Sequence, residues 1–294
     1  MNKELLLSNA FGEISKVNKA KGIDVITIDH QHTQASVSLY GGQVLTWQVN
    51  DQQPVFWLSK ASLYEQGKAI RGGIPLCWPW FGAYKDGGNH GFARQIQWQL
   101  VESQITEDNV TLVLTASGSE LSPLWPSAFK LTQTLIFSTY FQQQLTITNL
   151  SDQSVEYSNA LHSYFRVSDP NKVHIPTLTE CYFDDKMSLL SEQKDEIAHC
   201  MGPIDRIYHS NGVQQIKDKG WQRIIEIESS NCQQWVLWNP GKAIAETMAD
   251  VHSGGESEYV CLEAANTQWQ TIPAQQSITI GQKVTVNPLS DVDE

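Results

Sequence analysis

Apolar and polar residues alternate with a period of two over much of this chain, in short runs separated by turn residues. The alternation is clearest in ASVSLYGGQVLTWQV (35–49), NVTLVLTAS (109–117), KLTQTLIFS (130–138) and QQLTITNLS (143–151). It returns in VEYSNALHSYFRV (155–167), WQRIIEIES (221–229), CQQWVLWNP (232–240), YVCLEAANT (259–267) and QSITIGQKVTV (276–286). Residues two apart on a strand share a face, so each run predicts a strand with one side on a core. The runs are rich in Val, Ile, Thr, Leu and aromatics, and they end in Asn, Asp, Gly or Ser. No long window spaces apolar residues at 3.6, and helices are expected only as short segments around 61–67 and 191–199. Many short strands with few helices predict an all-β sandwich or barrel. No linker or repeat divides the chain, so residues 1–294 are expected to form one domain.

Charge narrows the partners. Lys and Arg total 20 against 32 Asp and Glu, a formal charge of −12. Nucleic acid and anionic membranes are held mainly by basic residues, and this balance argues against both. Five cysteines, odd in number, scattered and without a C-x-x-C pair, give no disulfide framework and no zinc site. The N-terminal run MNKELLLSNAFGEI lacks the basic start and long apolar stretch of an export signal, and no segment reaches the length of a membrane span. The N-x-[S/T] triplets at Asn109 and Asn149 fall in strand-like runs. A reduced, cytoplasmic, soluble protein is expected, with monomer the default state.

One stretch fits neither helix nor sheet. IRGGIPLCWPWFGAY (70–84) holds three glycines, two prolines, four aromatics, a cysteine and one arginine. Gly and Pro break helices and sheet interiors, yet the stretch is too apolar for an ordinary solvated loop. Its Arg71, and Arg94 in GGNHGFARQIQW (87–98), are two of only five arginines in the chain. A guanidinium matches a phosphate or carboxylate bidentately, and neighbouring glycine lets backbone approach a ligand. Either arginine alone reads as a surface ion pair; the two together point to anion binding. Trp78, Trp80 and Phe81 are candidates for an apolar wall against which a sugar ring stacks.

Two further residues carry possible proton chemistry. His162, in SNALHSYFRV (158–167), titrates near neutrality, although a lone histidine in an apolar run is more often a satisfied core residue. Glu263, in YVCLEAAN (259–266), interrupts an apolar strand; it faces a partner, a ligand or solvent, since an unpaired buried carboxylate is expensive. Alternation alone points it outward, away from Leu262 and Ala264. His90 in NHGFAR is a supporting candidate. Asp205 in GPIDRIY is weaker, since it could pair with Arg206 or cap a turn. His30 and His32 lack an acidic third ligand nearby, so no metal is expected. These residues suggest an anion site with an acid/base pair without naming a reaction.

Taken in order, YGGQVLTW, AIRGGIPLCWPWFG, NHGFAR, NALHSYFRV, DRIY, VLWNPGKA and VCLEAAN resemble the D-hexose-6-phosphate mutarotase (glucose-6-phosphate 1-epimerase) branch of the aldose 1-epimerase group. The resemblance spans roughly residues 25–285. It implies a large antiparallel β-sandwich of the galactose-mutarotase type, acting on a small-molecule hexose 6-phosphate without cofactor. It further implies that Arg71 and Arg94 hold the phosphate, that His162 is the general acid and Glu263 the general base, with Glu263 ionised and His162 protonated at the start. Asp205 would bind sugar hydroxyls, and Asn89, with His90 beside it, stands where relatives often carry a substrate-contacting Gln. Lys242, after VLWNP, receives no role. Rival readings are a catalytically silent sugar-phosphate-binding regulator on the same fold and an epimerase of free sugars. The paired His162 and Glu263 favour an enzyme over the first, and the two arginines disfavour the second. A glycosidase would want two flanking carboxylates, and only one stands out.

Overall fold

Every alternating run becomes strand in the computed structural model, which describes residues 3–20 and 22–290. Three antiparallel sheets result. The first is a five-stranded meander from Lys3–Asn9 to Gln43–Val49. The second has eight strands, with Ser277–Pro288 and Tyr140–Asn149 side by side near its middle and Gln99–Ile105 at one edge. The third carries the Tyr259–Ile272 strand between Gln234–Asn239 and Val155–Leu161, with the short Leu76–Cys77 strand at its edge.

The inner faces of all three sheets meet in one core. Val37 and Trp47 from the first sheet, Leu135, Phe141 and Ile280 from the second, and Leu237, Leu262 and Ala264 from the third belong to the same buried cluster. Period-two alternation is therefore satisfied on each sheet by a shared apolar layer, the condition for a sandwich. Among the described residues no helix is long and apolar enough to cross a membrane.

Neither expected helix forms. Residues 61–67 make a pinned loop: Ser62 donates to the Arg71 carbonyl, and Gly67, with a positive φ, donates to the Tyr40 hydroxyl. In the 191–199 segment, pairing with Phe183–Asp185 draws Leu190–Gln193 into a strand. The α-helix present is the five-residue Gly241–Ala245. Two long runs are also split. Residues 35–49 turn at Gly41 and Gly42 between Thr33–Ser38 and Gln43–Val49, and residues 155–167 leave the ladder between Val155–Leu161 and Tyr164–Arg166. The first break closes a hairpin; the second places a histidine.

Candidate active site

The third sheet supplies the floor of a cavity of about 400 Å³, a size suited to a small ligand. Glu263 lies opposite Val236, Cys261 opposite Trp238, and Trp238 opposite Asp205. Directly opposed residues of antiparallel strands point to one side of the sheet, so these side chains share a face. Leu262 and Ala264 point the other way, into the core. Alternation thus turns Glu263 away from the sandwich interior, as the sequence implies, but into a covered cavity, where it is only 1% exposed. Small residues beside it, Cys77, Ala160 and Ala265, keep the floor low.

His162 sits at the break in the 155–167 run. Its backbone N–H donates to the Pro75 carbonyl at 3.1 Å instead of to a neighbouring strand. Its ring stacks on Tyr164, with centroids 4.9 Å apart and planes within 8°, and meets the His90 ring edge-on at 5.6 Å. Its Nδ1 lies 3.3 Å from Glu263 Oε1. The acid/base candidates, 101 positions apart in sequence, are thereby adjacent.

The opposite wall is the glycine-rich stretch. Gly73 and Gly91 both have left-handed φ, and a Cβ on either would fall onto backbone: the Val44 carbonyl for Gly73, the Trp78 carbonyl for Gly91. Only glycine lets 70–84 press against the first sheet and 87–98 press against 70–84. The expected aromatic wall is corrected here. Trp78 and Trp80 are buried, Trp78 against Phe92, Trp125 and Phe129, and Trp80 donates Nε1–H to the Gly88 carbonyl. They anchor the loop, and Phe81 alone of the three lines the cavity, joined by Trp238.

Arg71, Asn89, His90, Arg94, His162, Asp205 and Glu263 all border this one cavity. Arg71 is already engaged: Nε and Nη2 each lie 3.0 Å from Asp250 Oδ2, and Nη1 donates to the Tyr164 hydroxyl at 2.8 Å. Burial weighs against its charge, but Tyr164 and Asp250 more than offset this and raise its pKa. Arg94 makes one hydrogen bond, from Nη2 to the Asn89 carbonyl at 2.9 Å, and its Nε is buried without a partner. Asp205 is half-buried and does not pair with Arg206, which instead stacks on Phe183 at 4.1 Å and lies 3.9 Å from Asp185. Gly82, Ala83, Lys186, Val236 and Met248 complete the lining, and of these Lys186 and Met248 lie outside every motif the sequence offers. Lys186 lies in DDKMSLL, which carries no motif, and only the fold brings it here. Lys242 lines a neighbouring cavity, reached past Met248.

The electrostatics favour neutral forms. Burial, and then Asp205, push the Glu263 carboxyl well above the usual carboxylate range. Burial, followed by His90, Arg94 and Arg71, holds the His162 imidazole well below neutrality. A neutral imidazole beside a protonated carboxyl has the same proton count as an imidazolium beside a carboxylate, so the pair holds one transferable proton either way. Both shifts disfavour the ionised pair expected at the start. His90 is pushed down to about 3, chiefly by burial and then by Arg94 and Lys186. Its Nδ1 accepts the Gly82 N–H at 3.1 Å, which leaves Nε2 as the protonated nitrogen of a neutral ring. Among the described residues no cluster of three or more His, Cys, Asp or Glu is arranged for a metal ion.

Comparison with known proteins agrees with this geometry. Residues 24–285 match the family described as aldose 1-epimerase. An Escherichia coli K12 protein, named provisionally as a glucose-6-phosphate 1-epimerase, is 32% identical, covering 97% of this chain and 99% of its own length. A Haemophilus influenzae protein with the same provisional name is 33% identical over 74% of each chain. The crystal structure of a Salmonella typhimurium protein, provisionally described as a mutarotase, superposes with a TM-score of 0.86 at 29% identity and 94% coverage of both chains.

Proposed function

The chain belongs to the aldose 1-epimerase family, and from that premise we propose that it interconverts the α and β anomers of a hexose 6-phosphate, glucose 6-phosphate in the first instance. The observation that carries this reading is the 3.3 Å approach of His162 Nδ1 to Glu263 Oε1 in a cavity bordered by Arg71 and Arg94. An acid/base pair suits anomerisation, and two guanidinium groups suit a phosphate ester better than a free sugar.

Glu263 accepts the proton of the C1 hydroxyl while His162 gives one to the ring oxygen. The O–H electrons become the carbonyl π bond, and the C1–O5 electrons stay on O5, which leaves as a hydroxyl. Rotation about C1–C2 turns the other face of the aldehyde towards O5. Closure returns the O5 proton to His162 and the carboxyl proton to C1–O. The pair ends as it began, with its single proton conserved. This direction needs the imidazolium–carboxylate form, and the substrate helps to create it. A phosphate dianion at Arg94 and Arg71 counters two of the charges that depress His162, which favours moving the shared proton from Glu263 to the imidazole. Phosphate binding then does more than select the substrate; it sets the protonation state of the pair.

Asp205 and the neutral His90 Nε2–H are placed to bind sugar hydroxyls, and Asn89 supplies a carbonyl that orients Arg94. The reading takes residues 1–294 as one domain, supported by the core common to all three sheets. It also takes the protein as a soluble monomer working in the cytoplasm. Glu263→Gln is expected to lower kcat at least a hundredfold, the scale of a general base, while glucose 6-phosphate binding persists. Arg94→Ala is expected to raise KM steeply for the ester and little for glucose. Normal turnover in Glu263→Gln would remove it as the base, and equal losses on both sugars would reassign Arg94 to the fold.

A further inference from the structure

The phosphate of a hexose 6-phosphate carries nearly two negative charges, and the expected pair of arginines does not offer two free positive ones. The Arg71 guanidinium gives Nε and Nη2 to Asp250 and Nη1 to Tyr164. Its charge is largely answered before any ligand arrives. Arg94 has no carboxylate within ion-pairing distance among the described residues, and its buried Nε has no partner. A second uncompensated cation is needed if the dianion is to be matched.

We propose that Lys186 is that cation: a phosphate-binding and specificity-determining residue that reaches the ligand from the turn after the Phe183–Asp185 strand, on the lining of the cavity that Arg94 shares. Lys186 follows the Phe183–Asp185 strand, and its backbone N–H donates to the Asp205 carbonyl at 2.9 Å, which fixes the root of the side chain at the rim of the cavity. Its ammonium lies 5.5 Å from the centre of the Phe81 ring, over the cavity's apolar wall. Among the described residues it has no carboxylate partner within 4 Å, whereas Lys3, Lys16, Lys60, Lys68 and Lys194 each have one. An exposed ammonium over an aromatic face, on a four-carbon stem, can turn a short way onto a phosphate at little cost. Arg94, Lys186 and His90 all line the same cavity. The phosphate is therefore gripped by the Arg94 guanidinium of the 87–98 segment and the Lys186 ammonium, beside the Arg71 guanidinium that Asp250 and Tyr164 hold in place.

This inference rests on the hexose-6-phosphate reading, and the test separates the two. Calorimetric titration of the full-length protein with inorganic phosphate and with glucose 6-phosphate is compared for wild type, Lys186→Met and Lys186→Arg, alongside steady-state turnover. Lys186→Met is expected to weaken both anions about tenfold or more, the weight of a charge-assisted hydrogen bond. KM for the ester should rise accordingly, with a much smaller change in kcat, and Lys186→Arg should recover most of the loss. The ratio of ester to glucose turnover should fall with the charge. Wild-type affinity for both anions in Lys186→Met, with ester turnover intact, would overturn the role of Lys186 and leave the mutarotase reading standing. Equal losses for ester and glucose would overturn it too, making Lys186 a part of the sugar's frame. If the wild-type protein neither binds phosphate nor turns over the ester, both fall together.

Discussion

A carboxyl buried to 1% exposure, with one oxygen lacking a hydrogen-bond partner, destabilises the sheet that carries it. Burial, aided by Asp205, raises the pKa of Glu263 in the folded protein, so the native state holds its proton at pH values where the unfolded chain has released it. Stability therefore declines as pH rises from the ordinary carboxylate value, about 4.3, towards the folded one. Glu263→Gln removes that penalty and should raise Tm at pH 7–8, with the gain shrinking as pH falls towards 4; a Tm that drops at every pH would contradict the assigned burial cost. The histidines work in the opposite sense: His90 at about 3 and the depressed His162 must be neutral when folded, so each loses stability as pH falls below about 6.5. Of these residues the sequence revealed the types and the order. It could not distinguish His162 from a satisfied core histidine, because what sets it apart is a carboxyl 101 positions away. Lys186 was invisible for the same reason in stronger form, since no neighbour in sequence marks it.

At the scale of elements, the glycine-rich stretch shows how backbone decides where the chemistry stands. Gly88 and Gly91 both have left-handed φ, but a Cβ at Gly88 meets nothing within 4 Å, whereas one at Gly91 strikes the Trp78 carbonyl and the Pro79 nitrogen. Gly88→Ala should cost only the conformational penalty, about 1 kcal/mol. Gly91→Ala should cost clearly more, at least about 2 kcal/mol, because backbone on both sides must shift; chemical denaturation compares the two, and equal losses would dismiss the close packing of 87–98 on 70–84. The alternating runs were legible as strands because they have one face on the shared core. Residues 3–9 were not, since the Lys3–Asn9 strand is exposed along its whole length and its LLL run does not alternate. The two expected helices failed where hydrogen bonds from outside the segment outweigh local preference: side chains pin 61–67, and strand pairing claims 190–193. The break at His162 was hidden inside a run that alternates well enough to pass for one strand.

At the scale of the molecule, a chain of net charge −12 concentrates Arg71, Arg94 and Lys186 around one cavity. The cations gather at the cavity although the chain as a whole is acidic. The sandwich makes this possible by lending one sheet face to the pocket floor and the other to the core, so that Glu263 and Leu262, adjacent in sequence, face the cavity and the core respectively. The central claim is that this pocket opens and closes the hemiacetal of a phosphorylated hexose. Two-dimensional exchange NMR on equilibrated glucose 6-phosphate, with glucose in a parallel sample, tests it most directly. The account predicts strong α/β cross-peaks for the ester at catalytic protein concentration, much weaker enhancement for glucose, and none with Glu263→Gln. Binding of the ester without any enhanced exchange would contradict it and make the protein a silent sugar-phosphate sensor.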